Sequence, residues 1–237
     1  MNMRALTHPW KAAAAVLLAC MWASSSHADN DQNNCYQRTP AMVKKESGLH
    51  PDVRREADSL VIRTEAKTVT LKDKISPEGS NVEPECYLYR GFLPEIQLHV
   101  FQFQSGFEIV EFGVVHARTG EKAYLMEWPK VSPDAQRLAS FSLNLGGNST
   151  QESIGIWRVQ HGKIKQEWAF APPADWAPRN AEWIDSNTVR FLGECGEGAP
   201  EDRKEGKACP VLTARFSKDA WQIEWSPSPR HHLNKTH

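Results

Sequence analysis

The sequence predicts an all-β protein built of antiparallel meanders, with a β-sandwich as the alternative packing of the same strands. Three observations carry this. Apolar residues recur with a period of two over short runs from residue 60 onward. Those runs are separated by turn-forming pairs such as Ser105-Gly106, Thr119-Gly120 and His161-Gly162. Helical periodicity is nearly absent. The one candidate is residues 50–58, read as a turn or two of helix with Pro51 near its start.

The leader comes off before fold reasoning begins. Arg4 and Lys11 precede a short apolar run at 12–20, and Ser26-His27-Ala28 offers small residues for cleavage before Asp29. Residues 1–28 therefore read as a secretory signal peptide, too short for a comfortable membrane span. Leu17-Leu18-Ala19-Cys20 looks like a bacterial lipoprotein signal and offers a second exit, in which a lipid on Cys20 anchors the domain to a membrane. No other apolar stretch is long enough to span a bilayer. The formal net charge of −1 does not suggest a nucleic-acid surface, which is usually strongly basic.

Beyond the leader lie Cys35, Cys86, Cys195 and Cys209. An even number of cysteines after a signal peptide suggests two disulfides. Of the three pairings, Cys35–Cys86 with Cys195–Cys209 keeps each bond within its own half of the chain. The rival use of four cysteines is structural zinc, which the lack of a close CxxC pair disfavours. The expected organisation is a signal peptide at 1–28, an N-terminal arm at 29–58 stapled by Cys35, a single β-rich domain at 59–226 and a flexible tail at 227–237.

The strands follow in order. Residues 60–64 and 68–72 form a first hairpin over 65–67. Residues 73–85 hold two prolines and a glycine and read as a loop. Residues 86–90 lead into Gly91. The run at 96–104 alternates apolar and polar residues, broken only at Phe101. With 107–115 and 122–126 it makes a meander across two glycine turns. Pro133 and Asp134 open a turn into 137–143, since proline suits the second turn position and a short carboxylate accepts nearby amides. A long loop at 143–153, strands at 154–159 and 163–170, and a proline-rich joint at 172–178 come next. Strands at 181–184, 188–192, 211–216 and 221–225 complete the domain.

Ser132-Pro133-Asp134-Ala135 before one strand and Trp157 in the strand at 154–159 resemble blades of WD and TolB-like β-propellers. A looser echo is 181–191, with Asp185-Ser186-Asn187 at the turn. The resemblance covers residues 132–191 and implies a degenerate or partial propeller-like arrangement. Ala135 stands where such turns usually carry glycine. A left-handed backbone there would cost about 1 kcal/mol or more.

The sequence carries no GxSxG, HExxH or P-loop motif, and no Ser-x-x-Lys in a convincing setting. It implies no cofactor. A carboxylate pair such as Glu182 and Asp185 is the residue set an enzyme reading would need. His99 sits on the polar side of its strand, and His116 and His161 beside turns, all three read as ordinary surface or hairpin residues. His231, His232 and His237 in the tail offer at most a weak transition-metal site.

Two segments are candidates for recognition. Trp176 lies in the proline-rich joint, and an aromatic residue held on a rigid loop makes a good interface anchor. The stretch between Cys195 and Cys209 is glycine-rich and charged, and closing it reduces the entropy lost on binding. Its Glu197, Glu201, Asp202 and Glu205 suit a basic partner. Carboxylates also suit calcium, but the spacing matches no EF-hand and Arg203 and Lys204 oppose a cation.

The function expected from these readings is a non-catalytic exported binding domain, periplasmic or secreted. It recognises a protein or a cell-envelope ligand, and inhibition of a hydrolase is one form of that role. The alternatives are an envelope hydrolase and a purely structural envelope component. The sequence does not speak to oligomeric state.

Overall fold

The computed structural model describes residues 50–74, 83–105, 109–142, 154–173, 176–195 and 209–226. All lie within one compact unit, Asn33–His237. They form fifteen strands in four antiparallel sheets, each a meander of sequential neighbours.

The first sheet contains β1 (Val53–Glu56), β2 (Ser59–Arg63) and β3 (Thr68–Lys72). The second contains β4 (Glu85–Leu93), β5 (Leu98–Ser105), β6 (Ile109–His116) and β7 (Lys122–Leu125). The third holds β8 (Lys130–Val131), β9 (Arg137–Phe141), β10 (Ile154–Gln160) and β11 (Lys163–Phe170). The fourth holds β12 (Trp176–Asp185), β13 (Thr188–Cys195), β14 (Val211–Ser217) and β15 (Ala220–Ser226).

β1 falls where the sequence suggests a short helix. Val53 pairs opposite Ile62 and buries its side chain between the first two sheets, which an isolated helical turn could not do. Pairing with β2 satisfies the backbone groups that a turn of helix would leave open. β12 likewise begins at Trp176, five residues before the expected strand, because Trp176 finds a partner in Cys195 across the ladder.

The sheets pack face to face through three apolar layers. Leu60, Ile62 and Leu71 meet Tyr89, Phe101 and Val115 between the first and second sheets. Leu98, Val100 and Val114 meet Leu138, Trp157 and Val159 between the second and third. Ile154 and Ile156 meet Trp176, Val189, Phe191 and Leu212 between the third and fourth. The two middle sheets are thus buried on both faces, and every residue of β9 is buried. Phe101, which breaks the alternation expected at 96–104, does so because its face is covered by the first sheet.

Three glycines let large rings lie flat on their own sheets. A Cβ at Gly113 would sit 2.1 Å from the Phe101 ring, one at Gly155 2.3 Å from Trp157, and one at Gly193 2.0 Å from Trp176. On the outer faces of the two terminal sheets Arg54, Thr70 and Lys72 are exposed on one and Arg215, Gln222 and Glu224 on the other, while Val61 and Val211 on the same faces are buried. Among the described residues no apolar layer joins these faces. The antiparallel meanders expected from sequence are present, without propeller closure.

The connections divide between two edges of the stack. One edge carries tight hairpins at 64–67, 94–97, 117–121, 132–136, 161–162, 186–187 and 218–219. These are tied sheet to sheet. The Glu65 amide donates to the Ala117 carbonyl at 3.0 Å, Thr119 Oγ1 to the Gly162 carbonyl at 2.6 Å, and Arg137 Nη1 to the Ser186 carbonyl at 3.0 Å. At the opposite edge lie the strand ends joined by every connection between sheets, by the short links 57–58 and 106–108, and by 142–153 and 196–210. There Arg55 pairs with Asp73 and donates from Nη1 to the Tyr87 carbonyl at 2.9 Å, clamping the first sheet to the second.

Candidate functional site

Of the residues singled out from the sequence, Trp176, Cys195 and Cys209 lie at the long-connection edge. Cys195 ends β13 and Cys209 precedes β14, and the two form a disulfide with Cα atoms 5.8 Å apart. Such a bond points to an oxidising, extracytoplasmic environment. Glu197, Glu201, Asp202 and Glu205 lie outside the described residues, as do Cys20, Cys35 and the histidines of the tail. Cys86 is disulfide-bonded, and its partner also lies outside them.

Trp176 departs from expectation. It is only 3 % exposed and packs edge-on against Trp225 at 5.1 Å between ring centres. Its indole Nε1 donates to the Pro210 carbonyl at 2.8 Å, next to the disulfide. The proline-rich composition suggested an exposed loop. The ladder to β13 and the open space over Gly193 draw the ring inward instead. The position anchors the neck of the Cys195–Cys209 connection and presents no surface to a ligand. Trp225 itself is 38 % exposed at this edge.

Glu182 and Asp185, the carboxylates an enzyme reading would need, are both exposed on β12. Asp185 Oδ1 accepts the Asn187 amide at 2.7 Å, a turn-forming contact.

The hairpin edge holds a cleft that sequence reasoning did not assemble. It is a shallow groove, open to solvent, of about 200 Å³ along the seam of the second and third sheets. Glu95 and Gln97 come from the β4–β5 turn, His116 and Arg118 from the β6–β7 turn, and Gln160 and His161 from the β10–β11 turn. Gln97, Ala135 and His161 line it with left-handed backbones, at φ of 55°, 53° and 52°. His116 is buried, and its Nδ1 accepts the Arg118 amide at 3.2 Å. Burial and the adjacent Arg118 cation, opposed by Glu65, hold this imidazole below the usual histidine range.

The turn at 132–137 closes one wall. Ser132 Oγ and Asp134 Oδ1 are 2.6 Å apart, Ser132 Oγ accepts the Arg137 amide at 2.9 Å, and the Ala135 amide donates to the Ser132 carbonyl at 2.9 Å. Both histidines of the cleft were read from sequence as ordinary hairpin residues. The signal that unites them is strand parity. In four-stranded meanders, alternate turns return to the same edge, and face-to-face packing then brings them together.

His99 corrects a further expectation. The period-two reading placed it toward solvent, yet it is fully buried, because the first sheet covers that face of β5. Its ring lies 4.7 Å from His50 and 4.8 Å from Phe92, and its Nδ1 shares a 3.1 Å hydrogen bond with the Tyr89 hydroxyl. Nε2 is buried without a hydrogen-bond partner. Burial, reinforced by His50 and opposed by Asp52, lowers its pKa to about 4.

Among the described residues there is no group of three or more His, Cys, Asp or Glu able to hold a metal. No helix among them is long and apolar enough to cross a membrane. Comparison with known proteins returns no matching family model, no matching curated protein and no matching solved structure.

Proposed function

We propose that the chain is a non-catalytic exported binding domain that recognises a protein or a cell-envelope ligand through its long-connection edge. The observation that carries this reading is the segregation of connections. Short, cross-tied hairpins fix one edge, while the strand ends joined by 142–153, 171–175 and 196–210 all lie at the other, beside the short links 57–58 and 106–108. A rigid scaffold that gathers its variable connections on one side is the usual construction of a recognition surface. The disulfide at the neck of 196–208 and the buried Trp176 beneath it fix where that connection begins and ends. The leader places the domain in the periplasm or the surrounding medium, or at a membrane if Cys20 is lipidated. Inhibition of a hydrolase is one form the binding could take.

The test is affinity capture by the immobilised oxidised domain from envelope extract and from secreted fluid, beside a folded C195S/C209S variant. A captured partner that then binds reversibly to the purified domain, and more weakly to the variant, supports the reading and places recognition on the closed connection. Equal binding moves recognition to 142–153 or 171–175. Failure to retain any macromolecule overturns the proposal.

A further inference from the structure

The cleft on the hairpin edge is separate from the long-connection edge, and apart from His116 Nδ1 its polar side chains make no hydrogen bond among the described residues. Among the described residues, Glu95 and the guanidinium of Arg118 have no ion-pair partner, and both side chains are exposed. Nδ1 of His116 accepts the Arg118 amide, so the neutral ring carries its proton on Nε2. That N–H finds no protein acceptor among the described residues and keeps contact with solvent, on a residue 5 % exposed that lines the cleft. Gln97, Gln160 and His161 complete the wall with side chains that make no hydrogen bond among these residues.

The walls are held firmly. Thr119 donates to the Gly162 carbonyl, the Ala117 amide donates to the Gln97 carbonyl at 2.9 Å, and the Val159 amide donates to the Gln136 carbonyl at 2.8 Å. A Cβ at Gly162 would lie 2.2 Å from the Thr119 methyl, so the two turns approach as closely as glycine allows. Residues held in sparsely populated backbone conformations tend to gather at ligand sites, and three line this cleft.

From these groups we infer that the cleft binds a small zwitterion of the α-amino-acid class. Arg118 and the Nε2–H of His116 receive the carboxylate, and Glu95 receives the ammonium. A cation and a neutral donor together suit a carboxylate, because a charged acceptor strengthens each hydrogen bond it receives. A lone anionic ligand would be repelled by Glu95, and a lone cation by Arg118. The volume of about 200 Å³ suits a small amino acid rather than a folded partner.

The experiment is a histidine side-chain NMR titration of the mature protein with L-alanine, N-acetyl-L-alanine and L-alaninamide. L-Alanine is expected to shift the His116 ring resonances saturably in the millimolar range. The two blocked compounds, each lacking one charge, should bind about tenfold more weakly. R118Q, at an exposed side chain, should lower alanine affinity about tenfold with the fold intact. E95Q should lower affinity for alanine and raise that for N-acetyl-L-alanine, whose lone carboxylate Glu95 repels. Absence of a saturable His116 shift with alanine overturns the inference. So does equal binding of all three compounds, or binding unaffected by R118Q.

Discussion

Ala135 holds a left-handed backbone at φ 53° in the turn that opens β9. For an L-residue this conformation costs about 1–2 kcal/mol, of which glycine would return a part after its larger loss of chain entropy. Ala135→Gly should therefore raise stability by about 0.5–1 kcal/mol, read as a higher urea midpoint at unchanged slope. No gain would mean that the methyl contact with the second–third sheet core outweighs the backbone strain. His99 acts in the opposite sense. Its pKa is near 4 in the fold and 6.5 when free. Between those values the unfolded chain binds more protons, so stability is full above about pH 6.5 and falls as the pH drops toward 4. The loss is on the order of 2–3 kcal/mol. His99→Gln should flatten that part of the stability–pH curve whatever its effect at pH 8. An unchanged slope would assign the dependence to other groups.

At the scale of elements, a three-strand latch joins the third sheet to the fourth. Glu167 on β11 bridges Arg137 on β9, at 2.9 Å from Nε, and Arg158 on β10. Arg137 is buried, donates to Ser186 and Asn187, and lies 4.7 Å over the Phe216 ring. Burial raises the Glu167 pKa, but hydrogen bonds and charge from the two arginines outweigh it and leave the carboxyl below its ordinary value. Its contribution is present above about pH 4.5 and is lost as the pH falls through the lowered folded value. Removing the carboxylate strands a buried guanidinium. Glu167→Ala should cost about 3 kcal/mol at neutral pH, measured by denaturant unfolding. A cost below 1 kcal/mol would show that the aromatic stack and the two carbonyl-side contacts hold Arg137 unaided.

Across the whole molecule, the Cys195–Cys209 bond closes a connection of fourteen residues' separation. In the chain-entropy model such a closure stabilises by about 3 kcal/mol. C195S/C209S should lose about that much against the oxidised wild type, with the far-ultraviolet dichroism of a β protein retained. Loss of folded structure would show that the bond is needed to seat Trp176 and the start of β14. The stack also explains how both candidate surfaces coexist. Sheets buried on both faces leave only their edges and outer faces to interact with anything else.

The sequence by itself determined the β class and most strand positions; it left three cysteine pairings open, and the structure decided for Cys195 with Cys209. Period-two runs and glycine turns are local signals, readable residue by residue. It did not reveal β1, because Val53 becomes a strand residue only once β2 offers a ladder. It placed Trp176 outside and His99 toward solvent, because a single alternation cannot say whether the second face of a sheet is covered. The stacking decided that, burying both faces of the middle sheets. It also decided the cleft, whose groups come from three turns far apart in the chain and meet only because parity sends those turns to one edge.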